Sequence, residues 1–101
     1  MKFLVNITID VPPSMPEDER ADLFARELAR GNELIASGEL VGIWRTPGRR
    51  ANVSIYEVPD ADALHAALSS LPLFPWLDIQ VQPLATHPLG APDVTMVANS
   101  H

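Results

Sequence analysis

Hydrophobic and polar positions alternate from the start of the chain. Phe3, Val5, Ile7, Ile9 and Val11 are apolar; Lys2, Asn6, Thr8 and Asp10 between them are polar, with Leu4 the exception. A period of two predicts a strand over Lys2 to Val11 with one face on a core. Pro12 and Pro13 end it. From Pro16 the period becomes helical and runs to Gly38, a natural helix stop. Ser14 and Glu17 have the spacing of a capping box, and Asp18 and Glu19 suit the positive end of a helix. At 100° per residue, Ala21, Leu28, Gly31 and Ile35 lie within about 60° of Phe24, while Asp18, Glu19, Asp22, Arg26, Arg30 and Glu33 lie opposite.

Leu40 to Arg45 reads as a second strand, Pro47-Gly48 as a turn and Arg50 to Val58 as a third strand, so the two strands form a hairpin. In the third strand Ala51, Val53 and Ile55 face one way, and Asn52, Ser54 and Tyr56 the other. Asp60 caps a second helix reaching about Leu71, with Ala61, Leu64, Leu68 and Leu71 as its core stripe. Leu71-Pro72-Leu73-Phe74-Pro75 breaks that helix, because neither proline fits a continuous α-helix. Trp76 to Leu84 is a fourth strand with Leu77, Ile79 and Val81 inward. No period is visible from His87 on, where Pro88, Gly90 and Pro92 read as an extended arm.

The order βαββαβ predicts an α+β, ferredoxin-like fold: a four-stranded antiparallel sheet with both helices on one face. One domain over residues 1–88 and a C-terminal arm over 89–101 follow. The uncovered face is expected to show Leu4, Asn6, Thr8, Trp44, Asn52, Ser54, Tyr56, Asp78 and Gln80. It carries a large tryptophan and few charges, which points to a second subunit against it, as in dimeric α/β-barrel proteins.

One residue breaks the first helix's pattern. Glu27 lies at the edge of the apolar stripe, beside Leu23, Gly31 and Leu34. Burial raises the pKa of a carboxylate, which suits a general base near neutral pH, and Gly31 leaves room beside it for a small ligand. A border glutamate that bends out to water is the competing reading.

Composition narrows the function classes. The 101 residues carry a net charge of −6 with only seven Lys and Arg and no run of them, which argues against nucleic acid. Without cysteine there is no thiolate nucleophile and no zinc-finger spacing, and no His pair has metal-ligand spacing beside a carboxylate. No metal site is expected. The alternating N-terminus is not a signal peptide, no apolar run is long enough to cross a membrane, and a cytoplasmic protein is the default.

Trp44-Arg45, Gly48, Ala51-Asn52, Val58-Pro59, Leu64-His65, His87-Pro88 and above all Leu71-Pro72-Leu73-Phe74-Pro75 carry a resemblance. The chain resembles the muconolactone delta-isomerase family, whose pattern lies along it without gaps from Met1 to about Pro88 with a glutamate at Glu27. The resemblance implies a cofactor-free isomerase of aromatic catabolism, in the catechol branch of the β-ketoadipate pathway. Its reaction shifts a proton within a butenolide and turns muconolactone into 3-oxoadipate enol-lactone. It also implies a dimerising subunit that assembles into a decamer. Relatives acting on chloro- or methyl-substituted muconolactones, the chloro case losing HCl, keep the substrate open. So does Arg49-Arg50, which stands where the family has a His-Tyr-like pair.

Such chemistry needs a base, a resting place for dienolate charge and a grip on the substrate carboxylate. Glu27 is the candidate base. Arg45 is the candidate grip, by paired hydrogen bonds, against a structural ion pair. Arg49 and Arg50 are candidate substrate contacts or solvated loop charges. Asn52 and Ser54 reach for the lactone oxygen or simply face a partner subunit. Trp44 and Phe74 wall an apolar pocket or pack in an interface. His65 and His87 read more simply as packed or capped residues. Two readings from other classes stay beside the isomerase: a non-catalytic ferredoxin-like binding module, and a dimeric α/β-barrel monooxygenase.

Overall fold

A computed structural model describes residues 1–90 of the chain. Its elements are β1 (Lys2–Ile9), α1 (Glu17–Ala36), β2 (Leu40–Arg45), β3 (Ala51–Glu57), α2 (Ala61–Ser69) and β4 (Leu77–Leu84), with a 3-10 turn over Phe74–Trp76 before β4. The four strands form one antiparallel sheet in the order β2-β3-β1-β4, the expected ferredoxin-like βαββαβ arrangement. The expected arm lies outside the described residues from residue 91 on.

The alternation in β1 is realised as predicted. Phe3, Val5 and Ile7 are buried on the helix side, opposite Pro83, Val81 and Ile79 of β4. Phe3, Val5 and Ile7 join Leu34, Leu40, Tyr56, Val58, Leu64, Ala67, Leu68 and Leu71 in the main core, with Ile79 packed against it, whereas Val81, expected inward, is 44% exposed. Val11, Leu23 and Leu73 form a second, smaller cluster at the far end of α1. α2 is fixed as its sequence says: the Asp60 carboxylate accepts a hydrogen bond from the Ala63 amide at 2.8 Å, and Leu64, Ala67 and Leu68 face the sheet. Ala61, expected in that stripe, is exposed.

Three local expectations are corrected. The first concerns the start of α1: Pro16 is the N-cap and no side chain caps the helix. Ser14 instead lies in a turn closed by the Met15 amide on the Pro12 carbonyl, 3.1 Å. At the other end Gly38 adopts φ +83° and donates to the Ile35 carbonyl at 3.1 Å, the expected stop.

The second correction is the face that α1 buries. Leu23 and Leu34 are its buried residues, with Glu27 half-buried between them, whereas Phe24, Leu28 and Ile35 are 37%, 68% and 51% exposed. The buried arc is thus turned by about 80° from the Phe24 direction, and Glu27 moves from its edge to its middle. The apolar stripe faces outward along one side of the helix.

The third correction is the facing of β3. Val5 pairs with Ser54, Phe3 with Tyr56 and Ile7 with Asn52, so Asn52, Ser54 and Tyr56 lie on the helix side. Val53 and Ile55 take the outer face with Leu4, Asn6, Thr8, Trp44, Asp78 and Gln80. Alternation along β3 is consistent with either choice; pairing to β1 decides it, since a one-residue slip would send every side chain to the other face. On the outer face the Trp44 ring lies over Gly42, where an added Cβ would come within 2.7 Å of it. Any side chain there would push the exposed indole aside.

Candidate active site

Glu27 stands between the two apolar clusters. One helical turn before it Leu23 closes onto Val11 and Leu73; two turns after it Leu34 enters the main core. Between them α1 stands off the sheet, leaving a groove of about 390 Å³. Glu27, Tyr56, Ser54, Asn52, Arg45 and Asn32 are its polar lining, and Phe24, Gly31, Ile43 and Leu71 contribute apolar walls.

The proline-rich break after α2 explains how Glu27 is held. Leu71, Phe74 and Trp76 each donate their amides to carbonyls three residues back, at 3.2, 2.9 and 2.8 Å. Pro72 and Pro75 have no amide to donate. The Leu73 amide is left over, and it donates to Glu27 Oε1 at 2.9 Å. Leu73 itself is 1% exposed, so an unpaired amide there would be costly. The Leu-Pro-Leu-Phe-Pro run therefore presents one spare N–H to one oxygen of the carboxylate. Among the described residues Glu27 has no other hydrogen-bond partner and no ion pair, which leaves Oε2 free for a ligand.

Burial raises the Glu27 pKa above the ordinary carboxylate value, and the Leu73 hydrogen bond offsets only part of that rise. Tyr56 is 2% exposed and lines the same groove. Its pKa is pushed up to about 12, first by burial and then by the negative charges of Glu27 and Glu39, with Arg30 opposing. The phenol thus stays protonated at any physiological pH and offers a hydrogen-bond donor beside the carboxylate. Ser54 donates its hydroxyl to the Val5 carbonyl at 3.4 Å, and the buried Asn52 Oδ1 has no partner among the described residues.

The predicted site residues divide. Glu27, Arg45, Asn52 and Ser54 come together in the groove. Trp44 lies at the rim of an adjoining pocket of about 550 Å³, which shares Ile9, Phe24, Ile43, Arg45 and Asn52 with the groove. Arg49 instead lines a depression with Asn6, Thr8, Asp78 and Gln80, which extends onto the outer face. Phe74 packs edge-on against His65, with ring centres 6.3 Å apart, and does not line the groove. His87 Nδ1 accepts from the Leu89 amide at 3.0 Å. Tyr56, Arg20 and Arg50 are groove or pocket residues that sequence reasoning left out or under-weighted. Arg50 was within reach of the pattern, because one residue past Arg49 reverses the face. Among the described residues no three His, Cys, Asp or Glu side chains group as metal ligands.

A family model described as muconolactone delta-isomerase matches residues 1–89. The chain belongs to the muconolactone delta-isomerase family. It is 42% identical over 88 residues to the muconolactone delta-isomerase of Cupriavidus pinatubonensis, covering 87% of this chain and 96% of that one. It is 39% identical to the enzyme of Rhodococcus opacus over 85 residues, 84% and 91% of the two chains. A crystal structure of muconolactone isomerase superposes with a TM-score of 0.85 at 36% identity, over 92% of this chain and 97% of that one. A 5-chloro-2-hydroxyhydroquinone dehydrochlorinase of Burkholderia phenoliruptrix, 20% identical with a TM-score of 0.65, shares the fold. As a muconolactone delta-isomerase family member the chain is an isomerase, which sets aside the non-catalytic and monooxygenase readings. No helix among the described residues is long and apolar enough to cross a membrane.

Proposed function

We propose that this protein converts muconolactone to 3-oxoadipate enol-lactone without a cofactor, with Glu27 as the base that carries the proton. The observation behind this reading is a half-buried carboxylate with one oxygen on the Leu73 amide and a raised pKa, in an apolar-walled groove. Oε2 takes the ring proton γ to the lactone carbonyl. The released electron pair delocalises through the C=C bond onto the carbonyl oxygen as a dienolate. Glu27, now a neutral acid, returns the proton to the carbon α to the carbonyl, and the double bond has moved. A raised pKa serves both halves, because the same group must accept and then donate.

Arg45 at the end of β2 grips the substrate carboxylate, and the Asn52 and Ser54 side of the floor receives the lactone ring. The protonated Tyr56 hydroxyl is the donor for charge that develops on the carbonyl oxygen. Phe24, Leu28, Ile35 and Ile43 leave an apolar flank open beside the groove. Self-association across it, into a dimer and on to a decamer, is part of the proposal, as is a cytoplasmic setting. Sedimentation of the purified protein and cell fractionation test these two points.

The decisive experiment is proton NMR of the protein with muconolactone in deuterated buffer. Formation of enol-lactone is expected, with little deuterium in the product if one shielded base carries the proton. No conversion, or conversion retained by Glu27→Gln, overturns the assignment. Chloro- and methyl-substituted muconolactones in the same assay test the substituted-substrate alternative.

A further inference from the structure

The pocket beside the groove holds more positive charge than a substrate with one carboxylate requires. Arg20 from α1, Arg45 from the end of β2 and Arg50 from the start of β3 line it together. These are three of only seven Lys and Arg in a chain of net charge −6. The Arg20 side chain and the Arg50 backbone are each held by a hydrogen bond. Arg20 Nη2 donates to the Pro12 carbonyl at 3.0 Å, and the Arg50 carbonyl accepts from the Ile9 amide at 2.9 Å. Among the described residues none of the three is ion-paired; the pairs that form belong to Met1, Arg26 and Arg30. Three like charges around one pocket repel one another, and a bound anion relieves that cost. One carboxylate is satisfied by one two-pronged guanidinium, and Arg45 alone suffices for it.

We propose that Arg20 and Arg50, with Arg45 shared between pocket and groove, form a subsite for a second carboxylate, so that the site accepts a small dicarboxylate. Two sources have this chemistry: a butenolide bearing two carboxylates, as substrate, and a ring-opened dicarboxylate of similar length, as inhibitor. The inference rests on the isomerase reading only for Arg45's place beside Glu27.

Binding needs no turnover, so the two readings fail separately. NMR titrations of the full chain with adipate and with hexanoate compare a dicarboxylate and a monocarboxylate of equal length. Adipate is expected to bind about tenfold more tightly, the worth of one added charge-assisted contact. Arg50→Gln should abolish that preference while hexanoate affinity stays within about twofold, and Arg50→Lys should restore part of it. Arg49→Gln, on the other face, should leave both affinities unchanged. Equal binding of the two probes, or a preference that survives both Arg50→Gln and Arg20→Gln, overturns the subsite. Competitive inhibition of muconolactone turnover by adipate supports the ring-opened source. Turnover of a butenolide dicarboxylate, lost in Arg50→Gln, supports the substrate source.

Discussion

The two helices lie on the same face of the same sheet and do opposite things there. α2 presses Leu64, Ala67 and Leu68 into the main core. α1 touches the sheet side at its two ends, through Leu23 and Leu34, and stands off between them over Asn52, Ser54 and Tyr56. The difference lies in what each helix offers at its middle. α2 offers leucine and alanine; α1 offers a carboxylate and, one turn on, Gly31, whose missing side chain leaves open space. One helix supplies cohesion, so the other is free to supply a cavity. Residues under α2 should therefore report on stability and residues under α1 on turnover.

Truncation under α2 should have the largest effect. Leu64→Ala removes a side chain that is 4% exposed and should cost roughly 2 to 5 kcal/mol, read from the urea midpoint. Under α1, Glu27→Gln should lower kcat by ~10²-fold or more with the fold intact, as removal of a general base does. If that variant instead unfolds the chain, the division between the helices breaks down. Tyr56→Phe keeps the ring in the core and removes only the donor. It should lower kcat by about tenfold or more, because the lost donor faces developing charge, with little change in the urea midpoint.

A pH series sharpens the comparison further. The Glu27 pKa is raised in the folded state, so its contribution favours folding below its unfolded pKa and is lost as pH rises through the folded value. The melting temperature of Glu27→Gln relative to wild type should therefore be more favourable at pH 8 than at pH 4. Leu64→Ala should show no such trend. The smallest effect belongs to the outward stripe. Leu28→Ser, at a position 68% exposed, should change monomer stability by about 0.5 kcal/mol or less while weakening self-association in sedimentation.

Element order, the Asp60 cap and the Gly38 stop were all legible in the sequence, because each depends on neighbours a few residues away. The β3 facing was not. Placing apolar residues inward is sound where the interior is packed core, but part of the β3 helix side is the floor of the groove. Asn52 and Ser54 line that floor, and the rule fails there. The same holds for α1, where the most hydrophobic stripe is turned out and the carboxylate in. Glu27 was legible as an anomaly; its partner, the Leu73 amide, was not, since backbone donors carry no sequence signature. Arg49 was weighed with Arg50 because adjacent positions look alike until strand pairing separates them.

The link between Glu27 and Leu73 joins residues 46 positions apart, one in each βαβ half of the chain. A nascent or partly refolded molecule with only its first half in place has the helix but not the amide that Glu27 accepts from. With Glu27 as the proposed base, catalytic competence is expected late in folding. During refolding, recovery of turnover should follow recovery of helical signal, with a half-folded subunit inert toward the lactone.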